Sequence, residues 1–263
     1  YQRTEVRDWR GLVPRVGVSY ALTGDSKNVV KLTYGRFNWV LDAGTGETYN
    51  PNYLNTMAYR WNDLNGNRDY DTGELGTFKS ATGGLTNVVN RDVKQPKIDE
   101  FTASYERQLM KDFSARVSYV YKNERDQTQF VNINRPYSAY SIPVTTTDPG
   151  ADGVIGTGDD GGSVAYYDYP ASFVGTSFEL QEERNVPGNR GVFHNVEIGG
   201  QKRMSNHWQL VTSFLATHRD VWDSGVPQNP NAENFHPKNQ YWEWAFKLSG
   251  SYVLPYAINV AAM

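Results

Sequence analysis

Apolar and polar residues alternate with a period of two in strand-length runs, and the connections between those runs are short and long in strict turn. In IDEFTASYERQL, Phe101, Ala103, Tyr105 and Leu109 share a face broken only by Arg107, while Thr102, Ser104, Glu106 and Gln108 share the other. An α-helix cannot segregate residues in this way. FSARVSYVYK repeats the pattern, with Phe113, Ala115, Val117, Tyr119 and Tyr121 opposed to Ser114, Arg116, Ser118 and Lys122. In YWEWAFKLSGSYVL, Trp242, Trp244, Phe246, Leu248, Tyr252 and Leu254 lie with Gly250 on one side, against Glu243, Ala245, Lys247, Ser249 and Ser251. Three further runs follow suit, through Val16, Val18, Tyr20 and Leu22, through Val30, Leu32 and Tyr34, and through Trp208, Leu210, Phe214 and Ala216. VFHNVEIGGQKRM alternates more weakly, with Val196 and Ile198 opposed by Glu197 and Gln201.

Hairpin turns follow the first, third, fifth and seventh runs, and stretches of roughly 20 to 65 residues follow the second, fourth and sixth. A soluble β-sandwich also alternates, but its apolar face is a Val, Ile and Leu core and its turns are of similar length at both ends. Here the long connections share one end, and aromatics make up 14% of the chain, several of them near strand ends, where the interfacial girdles of outer-membrane barrels sit. The expected fold is therefore all-β, an antiparallel up-and-down transmembrane β-barrel portion of about eight strands.

A mean hydropathy of −0.64 agrees with this, because a barrel shows lipid only alternate residues and carries hydrophilic loops. The longest nearly apolar stretch, YVLPYAINVAAM, is interrupted by Pro255 and Asn259 and falls short of the about 20 residues that a spanning helix needs. The absence of cysteine suits an oxidising periplasm. A net charge of −3 with mixed signs offers no basic stripe, which argues against nucleic acid as a partner.

In a barrel the short connections, Gly24 to Asn28, Met110 to Asp112, Ser205 to His207 and Pro255 to Ala257, should face the periplasm, and residues 38–96, 126–190 and 221–240 should be extracellular loops. Ligand selection is expected in those loops. SVAYYDYP is expected to add a short strand outside the membrane. A three-residue turn at Met110, Lys111 and Asp112 would set Leu109 opposite Phe113, Tyr105 opposite Val117 and Phe101 opposite Tyr121 on the lipid side, with Glu106 opposite Arg116 inside. Such a charge pair specifies register; the alternative is that Lys31, Glu106, Arg116, Glu243 and Lys247 line a transport path. Arg36 and Arg107 fall on the apolar parity near strand ends, where they would snorkel toward lipid phosphates.

Two loop segments carry cation-type patterns. In DLNGNRDYDTGE, Asp63, Asn65, Asn67, Asp69, Asp71 and Glu74 occupy positions 1, 3, 5, 7, 9 and 12 of an EF-hand-type calcium loop. Arg68 stands where that pattern has its sixth-position glycine, so a solvated acidic hairpin is the competing reading. DPGADGVIGTGDDGG places Asp148, Asp152, Asp159 and Asp160 among turn-permitting glycines, a second candidate for calcium or simply a flexible loop. Enzymatic readings find no support. His194, His207, His218 and His236 lack zinc-site spacing and suit surface or interfacial positions; Gly153, Gly156, Gly158 and Gly161 neither follow a strand nor precede GK[ST]; and no serine occupies a G-x-S-x-G elbow.

The runs LVPRVGVSYALTGDSKNVVKLTYGRF, PKIDEFTASYERQLMKDFSARVSYVYK, KRMSNHWQLVTSF and KLSGSYVLPYAINV resemble the barrel of TonB-dependent outer-membrane receptors. They are most similar to the Oar-like branch, whose members carry a carboxypeptidase-regulatory-like front domain. The cues are the PR-G-x-Y strand, the YGRF end of its partner, the DEF-to-YER strand and the G-S-Y-x-L-P descent. The resemblance implies a barrel of about 22 strands, a plug, contact with the TonB complex through that plug, and residence among the lipids of a Gram-negative outer membrane. Tyr1 opens in a polar segment and INVAAM lacks a terminal aromatic, so residues 1–263 are expected to be an internal part of the barrel domain, without plug, signal peptide or C-terminal strands. The implied activity is transport of a large or scarce substrate without bond breaking, by import or export. The alternative is a plug-free, porin- or adhesin-like surface barrel that binds extracellular material.

Overall fold

The computed structural model describes residues 5–186, 188–222, 225–232 and 238–262. In chain order its strands are β1 (Arg15–Ala21), β2 (Asn28–Asn38), β3 (Thr56–Trp61), β4 (Leu75–Thr82), β5 (Asn87–Val88), β6 (Lys97–Met110), β7 (Phe113–Arg125), β8 (Thr128–Asn132), β9 (Ile142–Thr147), β10 (Ser163–Asp168), β11 (Gln181–Asn185), β12 (Arg190–Ser205), β13 (Trp208–Trp222), β14 (Lys238–Leu254) and β15 (Ile258–Ala262). Among the described residues one short α-helix, α1 (Ala43–Thr48), is capped by the Asp42 side chain.

The alternating runs become one eight-stranded sheet in the order β1-β2-β6-β7-β12-β13-β14-β15. Every neighbour in it is antiparallel, the up-and-down topology that the alternating connections require. The sheet is open, with β1 and β15 at its edges. Its short turns lie at one end. Asn206 and His207 form a two-residue turn, both with positive φ, the pairing such a hairpin needs and one that Asn tolerates. In the first turn Asp25 accepts hydrogen bonds from the Thr23 hydroxyl and the Lys27 N–H, which hold its carboxyl down at about 2.

Tyr105 faces Val117, Phe101 faces Tyr121 and Glu106 faces Arg116, as the sequence predicts. The expected Leu109–Phe113 pair does not form. Met110 pairs with Phe113 instead, so the turn has two residues and the register slips between Gln108 and Met110. A β-bulge there absorbs the extra residue, and strict alternation cannot reveal it.

Exposure separates wall from canopy. The buried hydrophobic residues, Tyr49, Ala81, Val93, Val131, Ala139 and Val186, all lie in the long connections, whereas Val16, Val18, Tyr20, Trp242, Trp244, Phe246 and Leu248 on the sheet are exposed. A sheet in water would bury that face; one in a bilayer does not need to. The long connections are not bare loops. They build a β3–β4 hairpin, a β9–β10 hairpin that includes the expected SVAYYDYP strand, and a three-stranded sheet in which β11 runs parallel to β5 and antiparallel to β8. Part of the third expected loop, with His236, lies outside the described residues.

Candidate functional site

Register assembles a feature that no single strand shows. Tyr34, Phe101, Tyr121, His194, His218 and Trp242 lie side by side across β2, β6, β7, β12, β13 and β14 on the lipid-facing parity. The rings of the last four touch in sequence, with centroids 5.3 Å apart for Tyr121–His194, 6.2 Å for His194–His218 and 4.9 Å for His218–Trp242. The Tyr119 hydroxyl adds a 2.7 Å hydrogen bond with Nδ1 of His194. One step outward the row turns mostly polar, through Arg36, Asp99, Asn123, Asp220 and Gln240, with Val192 as its apolar member on β12. This is where an outer interfacial girdle should stand. At the other end Trp208 pairs with Tyr252, and the Lys202 ammonium sits 4.1 Å from the Trp208 ring. Trp242 and Tyr252 are ten residues apart on β14. That is about 33 Å along a strand, or about 25 Å of height at a tilt of about 40°, the thickness of the apolar band of an outer-membrane barrel.

The opposite face is the channel wall. Its charges pair across strands: Lys31 with Glu106 at 3.0 Å, Arg116 with Glu197 at 3.0 Å, Lys122 with Glu100 at 3.0 Å and Arg219 with Glu243 at 3.1 Å. Glu106 and Arg116 stand opposite each other, yet each forms its ion pair with the next strand outward. The sequence placed these groups inside but not their partners, which are diagonal neighbours on β2 and β12. Lys247 faces the same side without an ion pair among the described residues. Arg36 does not simply snorkel. Its Nε bonds Asp99 at 2.7 Å, and Asp99 also receives the Tyr34 hydroxyl and the Arg125 guanidinium.

Above the wall the long connections are tied together by buried polar groups. Arg7, in the segment before β1, donates to the Tyr49 hydroxyl at 2.7 Å and pairs with Glu183 of β11, while Tyr49 donates to Glu183 at 2.8 Å. Burial alone would push the Glu183 carboxyl up, but hydrogen bonds from Arg7, Thr128 and Tyr49 outweigh it and hold the carboxyl below its ordinary value. Burial, then Glu183, pushes the Tyr49 phenol up. A second buried pair, Arg135–Glu179 at 2.6 Å, lies against the Tyr169 ring. Asn185 bonds Lys94 in one connection and Asp126 in the other, and Asn231 of the third connection bonds the Tyr167 backbone through both amide atoms. Sequence reading missed this knot because its members are up to 176 positions apart.

The Asp63–Glu74 loop closes on itself. Asp63 accepts the N–H groups of Gly66 and Arg68, Asp71 accepts the Asn65 and Asn67 amides, and Glu74 accepts the Trp61 indole and the Leu64 and Asp71 N–H groups. The Trp61 bond, then the Asp71 N–H, holds the Glu74 carboxyl below its ordinary value. Arg68 takes φ +64, the left-handed conformation that the EF-hand pattern reserves for glycine. Among the described residues no hydrogen bond ties Asp69 through its side chain. In the second acidic segment Asp159 accepts the Ala151 and Asp152 N–H groups, Asp160 accepts that of Gly156, and the Asp148 carbonyl accepts that of Gly161. Among the described residues no three His, Asp or Glu side chains converge closely enough to hold a metal ion.

A lipid-facing sheet bounded by aromatic rows, a charged inner face and short turns at one end define a bacterial outer-membrane β-barrel. The chain belongs to the family described as "Outer membrane beta barrel domain", which matches residues 3–260. No curated protein matches it. Among solved structures it is similar to one titled "Copper transporter OprC", at 10% identity and a TM-score of 0.35, over 95% of this chain. The chain spans 33% of the length of that protein.

Proposed function

We propose that this barrel domain is the channel wall and ligand-selecting mouth of a TonB-dependent receptor of the Oar-like kind, which moves a large or scarce substrate across the outer membrane without breaking bonds. The observation that carries the reading is the canopy. Three long connections are interlocked by the Arg7–Tyr49–Glu183 cluster and by Asn bridges over a wall lined with charge, an arrangement suited to capturing a ligand before passage rather than to an open pore. The TonB complex would act through a plug supplied by other parts of the protein. Full-length protein in planar bilayers tests this. A plugged receptor stays closed until urea releases the plug, then conducts; conduction at once, without denaturant, overturns the reading in favour of a plug-free surface barrel.

For the Asp63–Glu74 loop we propose calcium as a structural ion, supported by the left-handed Arg68 at the sixth position and by Asp63 accepting the N–H groups of the fourth and sixth. Coordination requires the Asn65 and Asn67 amides to turn their carbonyl oxygens toward the ion and away from Asp71, which now takes their N–H groups. With arginine in place of glycine the expected dissociation constant is about 10⁻⁴ to 10⁻³ M, the range of extracellular modules. Calorimetry on wild type and on an Asp63→Ala, Glu74→Ala double variant decides it: equal heats from both, or none from either, leave the loop a solvated hairpin.

A further inference from the structure

Resting on the receptor reading above, we propose that the cleft between the segment preceding β1, the α1 region and β8 binds a neutral sugar ring of an extracellular glycan. The cleft measures 370 Å³, inside the range of about 300–1,000 Å³ typical of small-ligand sites. Trp9, Trp39, Tyr49 and Phe130 supply aromatic surface to it. Trp9 is fixed by its indole N–H, which donates to the Val93 carbonyl at 2.7 Å, and Tyr49 by its bonds to Arg7 and Glu183. Trp39 is the open member, 64% exposed although it adjoins the canopy. Its backbone N–H still bonds the Pro96 carbonyl, extending the β2–β6 ladder by one residue, so the indole keeps the channel-facing parity of Thr33 and Phe37.

The charges in the cleft decide the ligand class. Arg7 and Glu183 neutralise each other, so the cleft presents no unpaired cation to a carboxylate, and the charge left in its lining is the Asp42 carboxylate, an acceptor for hydroxyls. What remains is hydrogen-bonding capacity. Asp42 receives the Thr45 N–H and hydroxyl on Oδ1, and among the described residues no hydrogen bond reaches its Oδ2. A pyranose ring has an apolar C–H face that covers an indole and a rim of hydroxyls that both donate and accept. Flat aromatic surface with a few fixed polar atoms at its edge is the matching surface.

The test is calorimetric titration of the detergent-solubilised full-length receptor with maltohexaose, cellohexaose and chitohexaose. At least one should bind. Trp39→Ala should weaken that binding about tenfold or more, equivalent to about 1.4 kcal/mol, and Asp42→Asn should weaken it less, while Tyr53→Ala, an exposed canopy residue outside the cleft, should leave it within about twofold. The inference is overturned if none of the three binds, if binding survives Trp39→Ala unchanged, or if acetyl-tetraalanine amide competes equally. Because binding is read without any inner-membrane machinery, its failure leaves the urea-gated conductance test standing, and an always-open channel that still binds sugar would sink only the plugged-receptor reading.

Discussion

The wall and the canopy are both β-structure, yet they are held by different forces. The wall is a continuous backbone ladder whose apolar side chains are left exposed, so its stability lies in main-chain hydrogen bonds and in the bilayer that covers the outward face. The canopy contains every buried hydrophobic residue named above, and its pieces are joined by side chains reaching across connections, as in Tyr49–Glu183, Asn185–Lys94 and Asn231–Tyr167. A substitution should therefore be felt through lipid in the first region and through an uncompensated polar group in the second.

The largest effect is expected in the canopy. Arg7→Met leaves Glu183 and Tyr49 buried without their cation, and removing one partner of a buried pair costs about 3–5 kcal/mol. The loss should be local: limited proteolysis of the full-length protein should cut residues 38–96 and 126–190 faster, while heat-modifiable migration of the barrel stays unchanged. If migration changes as well, the two regions are one cooperative unit and the contrast fails.

Next in size is a charge on the lipid face. Phe246 lies midway between Trp242 and Gly250 on the outward parity, so Phe246→Arg in vesicles should cost about 2–4 kcal/mol by urea titration, and Ala245→Lys, on the channel face, close to nothing. Equal costs would remove the distinction between faces.

The Glu183 carboxyl sharpens the comparison through pH. Its folded value lies below the unfolded value of about 4.3, so its contribution is complete above that value and is lost as pH falls through the folded one. Pepsin should open the canopy more readily as pH drops from about 5 to about 3, and Glu183→Gln should flatten that dependence. The smallest effect is expected on the channel wall. Lys31→Ala breaks a half-exposed pair with Glu106 and should cost no more than about 1 kcal/mol.

The same contrast explains what could be read from the sequence. The eight wall strands, their short turns and pairs such as Phe101–Tyr121 follow from a period of two, because each strand carries its own record of which face meets lipid. The bulge after Gln108 carries no such record, and it moved Phe113 from Leu109 to Met110. The aromatic row was legible only as scattered residues; joining Tyr34 to Trp242 needs the register of five successive strand pairs. In the canopy, Val88 of β5 lies beside Glu182 of β11, and no local pattern announces a parallel pair formed between two separate connections. The acidic spacing of Asp63 to Glu74 was legible, and so was its missing glycine; that Arg68 would nonetheless adopt the left-handed conformation was not.

The most direct test of the account is a spin-label scan of β14 in the full-length protein in vesicles, one label at a time from Tyr241 to Tyr252, with relaxation by oxygen, which partitions into lipid, and by a water-soluble nickel chelate. The account predicts strict alternation, with oxygen favoured at Trp242, Trp244, Phe246, Leu248 and Tyr252 and the nickel chelate at Glu243, Ala245, Lys247, Ser249 and Ser251, and with the oxygen signal greatest near Phe246. Loss of the two-residue period, or oxygen favoured at the Glu243 and Lys247 parity, would contradict it.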